Sequence, residues 1–398
     1  MKKLLLAVSA CALTVGAASA EDVKLGILIG FTGPIESLTK HMAAAAELAM
    51  SEVNASGKSP YTFVPVRGDS TCTDAAAATA AAERMITAEG VKGIIGADCS
   101  GVTRAVLTNV AMPNGIVMVS TSATSPALSA DPDNGLFFRT APSDAREGEV
   151  MADILTEKGV KSIALTYSNS DYGKGLAEAI ANAFTAKGGK VTINAAHDDG
   201  KADYSAEVAA LAAAGGDILV VAGYLDQGGK GIIQASLDSG AFSTFGLPGG
   251  MVGDSLPAAI GPGLDGSYGQ VAQSDSPGAA ILTEMGKTNA APFDATSPYS
   301  MESYDGAALI MLAMVAAGST DPNVYKDKIM DIANGPADSS GTKILPGELG
   351  KALELIAAGK PVDYDGASGV TLIGPGESAG RYKEFEIKGG KYETIKFR

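Results

Sequence analysis

Two short apolar runs decide the fold: Val91-Lys92-Gly93-Ile94-Ile95-Gly96-Ala97-Asp98-Cys99-Ser100-Gly101 and Gly115-Ile116-Val117-Met118-Val119-Ser120-Thr121-Ser122-Ala123-Thr124-Ser125-Pro126. Each has the pattern of a strand that ends in small hydroxyl residues and opens onto a helix or a turn. In an open α/β sheet the carboxyl ends of the strands border the ligand crevice, and a following helix offers free N–H groups and a positive dipole end. Ser and Thr in such places commonly do no more than cap helices. Two edges of this kind in succession point instead to a site for an anionic group.

The same alternation continues on both sides. Residues 23–30 form an almost continuous apolar strand, 42–53 an alanine-rich helix, 61–67 a strand, 74–88 a helix, and 100–110 a helix expected to stop before Met112-Pro113. Near-continuous apolar strands alternating with helices indicate parallel sheet covered on both faces. After Phe138-Arg139-Thr140-Ala141-Pro142-Ser143-Asp144 a second series begins. Its helices are expected over 145–158, 171–187, 205–214 and 229–239, and its strands over 162–167, 190–196 and 217–224. The fold class is therefore α/β, with two Rossmann-like lobes, each around its own parallel sheet, and a crevice between them. Further crossings are expected near 266–273 and 362–369, before terminal strands over 381–396. That places 21–142 with 275–363 in the first lobe and 143–274 with 364–398 in the second, joined by a three-crossing hinge.

Residues 1–20 have the pattern of an export signal: Lys2 and Lys3, an apolar run, and Ala18-Ser19-Ala20 as a small-residue cleavage site. Cleavage after Ala20 would leave 378 of the 398 residues, with 28 basic against 45 acidic and a formal charge of −17. So acidic a chain does not suit nucleic acid or an anionic membrane surface. No later segment approaches the ~20 apolar residues that span a bilayer, and 307–317 is better understood as a buried helix.

With Cys11 inside the signal, Cys72 and Cys99 remain, each just beyond an expected strand. In an oxidising compartment such a pair predicts one disulfide, with two buried thiols as the alternative. Metal binding needs more ligands than two cysteines with no histidine near them. His41 and His197 are the chain's two histidines, and neither stands in a nucleophile–base pattern, so the chain is not expected to be an enzyme. The glycines of 223–231 lack the Lys-Ser/Thr of a phosphate loop, and no cofactor is implied.

Gly30-Phe31-Thr32-Gly33-Pro34, Asp98-Cys99-Ser100, Ser122-Ala123-Thr124-Ser125-Pro126, Phe138-Arg139-Thr140, Asp171-Tyr172-Gly173, Gly223-Tyr224 and Tyr304-Asp305 follow one another in order. In these motifs the chain resembles the periplasmic solute-binding proteins of ABC importers, in the branched-chain amino acid-binding (leucine/isoleucine/valine-binding protein-like) branch with the type I periplasmic-binding fold. The resemblance implies that Ser100 and Thr124 hold a ligand carboxylate, while the Ser122 carbonyl and Thr124 hydroxyl receive an ammonium group. Tyr172 and Tyr224 would close over the ligand from the second lobe, and Tyr299 would form an aromatic wall. It further implies a Cys72–Cys99 disulfide, a periplasmic monomer, an inner-membrane ABC permease as partner, and no nucleic acid.

One departure bears on the ligand. Relatives that bind amino acids carry an acid where this chain has Gly249, within Leu247-Pro248-Gly249-Gly250-Met251, and no carboxylate is evident there. An ammonium group buried without one is costly. Asp98, Asp254 and Glu302 are the candidate replacements. The alternatives are an amine-free aromatic or keto acid as ligand, or an exported sensor that hands its closed form to a signalling partner.

Overall fold

The structure is a computed structural model and describes residues 20–398 of the 398. The expected export signal lies almost wholly outside the described residues.

The first lobe begins with β1 (Glu21–Ile29), β2 (Tyr61–Asp69), β3 (Ile94–Gly96), β4 (Met118–Ser120) and β5 (Phe137–Pro142), all parallel. The second lobe follows with β6 (Ser162–Ser168), β7 (Lys190–His197), β8 (Ile218–Ala222), β9 (Phe245–Leu247) and β10 (Tyr268–Ala272), again parallel. The chain then returns to the first lobe, where the buried helix Ser300–Ala317 packs on the helix Glu36–Ser56. There β11 (Thr342–Ile344) and β12 (Val362–Tyr364) make a separate parallel pair, and β13 (Leu372–Ile373) and β14 (Glu377–Ser378) join the first sheet. Finally β15 (Tyr382–Lys388) and β16 (Lys391–Phe397) close the second sheet as antiparallel edge strands.

The two sheets share one winding. The first runs β2-β1-β3-β4-β5-β14-β13 and the second β7-β6-β8-β9-β10-β15-β16. Strands such as β8, Ile218-Leu219-Val220-Val221-Ala222, are buried at every position, as continuous apolar runs in a doubly covered parallel sheet must be.

Two expectations need correction. The third crossing does not fall at 363/364: β14 pairs with β5, Glu377 opposite Arg139, so the chain stays in the first lobe until it passes from Ser378 to Tyr382. Strands of two residues carry no readable periodicity, and the Gly- and Asp-rich turn before them looked like a boundary. That turn is held inside the first lobe by Asp305, whose buried carboxylate accepts from Tyr364 Oη, Ala367 N, and both Ser368 N and Oγ. The helix from Ser100 also runs further than expected. It passes through a wider π turn at Leu107–Ala111 and ends at Asn114, with Gly115 in the left-handed region at φ 63°.

In-register pairing brings the carboxyl ends of neighbouring strands together. Ile29 lies opposite Asp69, and Leu28 opposite Gly96, so the loops after β1, β2 and β3 meet at one edge. There the Asp98 carboxylate accepts from Gly30 N at 2.7 Å and from Ser70 Oγ at 2.5 Å. Cys72 and Cys99 form a disulfide across the same edge, with a Cα separation of 5.1 Å.

Candidate ligand-binding cleft

The two loops beyond β3 and β4 lie side by side because those strands pair in register, Ile94 opposite Met118. Ser100 begins its helix with Oγ accepting the Ser125 N–H at 3.1 Å, so the two loops are tied to each other. Ser122 Oγ donates to the Asp98 carbonyl at 2.9 Å. Beneath them Arg139, 1% exposed, donates Nη1 to the carbonyls of Ala123 and Ser125, both at 3.0 Å. Its Nη2 is held by Glu377 at 2.6 Å. The guanidinium therefore fixes the curvature of the strip that carries Thr124.

The helix Asp144–Glu157 opens the second lobe directly against this strip. Asp144 N donates to the Thr124 carbonyl at 2.8 Å, and the Ser143 hydroxyl caps the helix through Ala145 N. Asp144 and Glu147 stand one turn apart on the face that continues into Met151 and Ile154, so both carboxyl groups point inward and are buried. Glu147 Oε1 accepts the Gly249 N–H at 2.7 Å and Gln270 Nε2 at 3.2 Å. Both oxygens of Asp144, together with Thr124 Oγ1 and Tyr382 Oη, have no hydrogen-bond partner. Burial, and then the charge of Glu147, push the Asp144 carboxyl well above its usual range; the Thr124 hydroxyl opposes that shift while falling short of hydrogen-bond geometry. Burial raises Glu147 as well, against its bond from Gly249.

Aromatic rings enclose these groups. Tyr172, on the first turn of the helix Asp171–Ala186, accepts Gly250 N–H at Oη, 3.0 Å away. It stacks on Tyr224, beyond the end of β8, with ring centroids 5.1 Å apart and 28° between the planes. Tyr299 precedes the helix Ser300–Ala317 in a left-handed conformation, φ 63°. For a bulky residue this is a strained geometry, of the kind that persists where surrounding structure enforces it. Its hydroxyl stands 2.9 Å from where a Cβ on Gly249 would lie.

Ser100, Ser122, Thr124, Tyr172, Tyr224 and Tyr299 thus all stand at the junction of the two lobes. Of the three replacement acids proposed for Gly249, Asp98 is committed to tying strand ends, while Asp254 and Glu302 line a neighbouring cavity. The absence of a carboxylate near Gly249 is corrected by Glu147, whose oxygen is 3.4 Å from the Cβ that Gly249 lacks. A signal for it was present: Asp144 and Glu147 share the period of Met151, Ile154 and Leu155, which puts both acids on the buried stripe. Tyr382 and Gln270, on hinge-proximal strands, left no comparable trace. Among the described residues no group of His, Cys, Asp and Glu is arranged to hold a metal ion, and no single helix is long and apolar enough to cross a membrane.

The sequence profile of the periplasmic binding proteins matches residues 22–332. The chain belongs to that family. A Leu/Ile/Val-binding protein homolog from Brucella melitensis is 30% identical over 342 residues, covering 83% of this chain and 89% of the relative. In three dimensions this binding protein resembles a leucine-binding protein from Thermotoga maritima, with a TM-score of 0.77 at 20% identity over 94% of this chain and 98% of that one. It also resembles a solute-binding protein of an ABC transporter from R. palustris, solved in complex with 4-hydroxybenzoate, with a TM-score of 0.73 at 19% identity over 95% and 97% of the two chains. These likenesses establish the type I periplasmic-binding fold, with sheets that are mostly parallel and antiparallel at one edge.

The lobes stand closed on each other. Ser37 Oγ donates to Asp226 at 2.6 Å across the gap, Asp226 N donates to the Pro34 carbonyl at 3.3 Å, and Arg104 lies 3.8 Å from Asp171. A Cβ on Gly175 of the second lobe would meet Ser125 Oγ and Pro126 of the first at 3.0 Å.

Proposed function

We propose that this binding protein captures a small α-amino acid between its lobes and delivers it to an ABC permease of the inner membrane. The carrying observation is the meeting of Thr124 with Asp144: a buried donor and a buried carboxylate, one from each lobe, each without a partner. A zwitterion supplies what both lack. Its carboxylate fits Ser100 and Thr124, and its ammonium fits the Ser122 carbonyl and the Asp144–Glu147 pair. A carboxylate buried without a counter-charge costs several kcal/mol, so the ligand removes a penalty that the closed protein otherwise bears. Because ligand touches both lobes only when they are closed, it favours the closed form by its differential affinity. The permease would read that shape. Branched-chain amino acids suit the apolar faces of Tyr172, Tyr224 and Tyr299, and two of the similar proteins are described as a Leu/Ile/Val-binding protein homolog and a leucine-binding protein. Export to the periplasm follows from the same family reading.

The experiment is titration calorimetry with L-leucine and L-isoleucine on the wild type and on Ser100→Ala with Thr124→Ala. Loss of one charge-assisted hydrogen bond costs about 1.5 to 3 kcal/mol, so the double variant should lose at least a hundredfold in affinity while still unfolding cooperatively, with a melting temperature lowered by the lost Ser125 N–H bond. Equal affinity in both proteins refutes the site.

A second reading is an amine-free aromatic carboxylate. The four tyrosines at the cleft favour it, as does the likeness to the protein solved with 4-hydroxybenzoate. In that case 4-hydroxybenzoate, and not leucine, would raise the melting temperature.

A further inference from the structure

Beyond Tyr299 the lobes enclose a cavity of about 770 Å³, within the range of small-molecule sites. Leu38 and His41 line it from the first lobe, Val252 from the second, and Tyr299, Glu302 and Lys383 from the hinge side. Resting on the amino acid reading above, we propose that this cavity receives the side chain of the solute, and that the solute is an amino acid ending in a second carboxylate.

Three observations carry the proposal. Glu302 is 4% exposed and is among the residues that line the cavity, and its carboxyl receives a hydrogen bond from its own backbone N–H. Burying a carboxyl group without outside partners is costly unless a ligand group completes it. Lys383, on β15, enters no ion pair among the described residues; burial lowers its pKa, and Asp294 at the rim opposes that shift, as a bound anion would. A cation so placed seeks an anion. Burial and Asp305 push Glu302 up to about 8, so near neutrality it holds a proton and is a donor as well. One cavity thus offers two donors to an oxygen anion, while the acids Asp254 and Asp294 stand exposed at its edge.

The third observation is continuity with the head-group site. Tyr299 belongs to both compartments: its ring lines the cavity, and its hydroxyl lies at the Gly249 turn that Glu147 fastens. Val252 lines the cavity and donates its N–H to the Gly249 carbonyl at 3.1 Å. On this proposal the side chain of the solute leaves the Asp144–Glu147 pair and passes Tyr299, which borders both places, to reach the cavity.

Titration calorimetry with L-leucine, L-glutamate and L-2-aminoadipate tests this. The wild type should bind one of the two diacids at least tenfold more tightly than leucine. Lys383→Met should erase that preference, lowering diacid affinity at least tenfold more than leucine affinity, and Lys383→Arg should keep it. Glu302→Leu should lower the preference independently, so the outcome does not depend on one variant folding. Leucine binding as tightly as both diacids, or a preference untouched by Lys383→Met and Glu302→Leu, overturns the proposal and leaves the amino acid reading standing. If none of the three amino acids binds, the amino acid reading itself fails, and this proposal fails with it.

Discussion

Glu147 accepts the backbone N–H of Gly249 at 2.7 Å, fastening the first helix of the second lobe to the turn after β9. The resemblance places an acid on that turn; here the acid comes from the opposite side and occupies the room that a glycine leaves. Gly249 and Glu147 therefore make one arrangement. A methyl group at 249 would stand 2.9 Å from Tyr299 Oη and 3.4 Å from Glu147 Oε1. Gly249→Ala should cost about tenfold or more in solute affinity, with a melting temperature within a few degrees of wild type, as read by calorimetry and thermal unfolding.

The acid pair also fixes how affinity depends on pH. Burial and mutual repulsion raise the carboxyl of Asp144 in the protein without ligand, so it holds its proton above the usual carboxylate range. An ammonium group favours the ionised form, and binding releases that proton. Affinity for an amino acid should then rise with pH, by up to about tenfold per unit below the raised pKa, and level off above it. An amine-free acid should show the opposite slope, since two like charges would face each other. Calorimetry in buffers of different ionisation enthalpy counts the released proton. Asp144→Asn should flatten the profile.

Arg139 is the buried strut of the carboxylate strip. Removing one partner of a buried ion pair costs about 3 to 5 kcal/mol, because the other charge is stranded. Arg139→Met strands Glu377, which is partly exposed, and frees the carbonyls of Ala123 and Ser125. Urea unfolding should show a loss toward the lower end of that range. Glu377→Gln keeps the two carbonyl bonds but strands the more deeply buried guanidinium, so it should lose a comparable amount.

Much of this was legible in the residues, and the misses share a cause. Continuous apolar strands such as Ile218–Ala222 declare a parallel sheet, and small hydroxyl residues after β3 and β4 declare its edge. The third crossing was misplaced because β13 and β14 are two residues each, held by pairing with β5 and not by their own pattern. Asp144 and Glu147 were overlooked although their helix was seen, because an acid near a helix start is ordinarily explained by the helix dipole. Their shared face with Met151 was the stronger evidence. Tyr382 and Gln270 reach the cleft through hinge geometry, which no local pattern encodes.

Closure has its own latch. Asp226 accepts from Ser37 Oγ across the gap and from Ser255 Oγ within its own lobe, both at 2.6 Å. Ser37→Ala removes this side-chain bond, one of several contacts between the lobes, and touches neither Thr124 nor Asp144. A hydrogen bond to a charged group contributes about 1.5 to 3 kcal/mol at most here, so the open form should gain population. Small-angle X-ray scattering should give a larger radius of gyration without solute, and affinity should fall several-fold. Saturating solute should restore the wild-type radius.

The shared winding of the two sheets means that the pocket is assembled from corresponding places in a doubled design. Ser100 follows the third strand of one half and Tyr224 the third strand of the other; Thr124 and Gly249 follow the fourth strands. Each half can thus alter its own loops while the other keeps its grip. A fold built this way can change its solute by rewriting a single turn, since at Gly249 the carboxylate is supplied by Glu147 from a neighbouring helix and not by the turn itself.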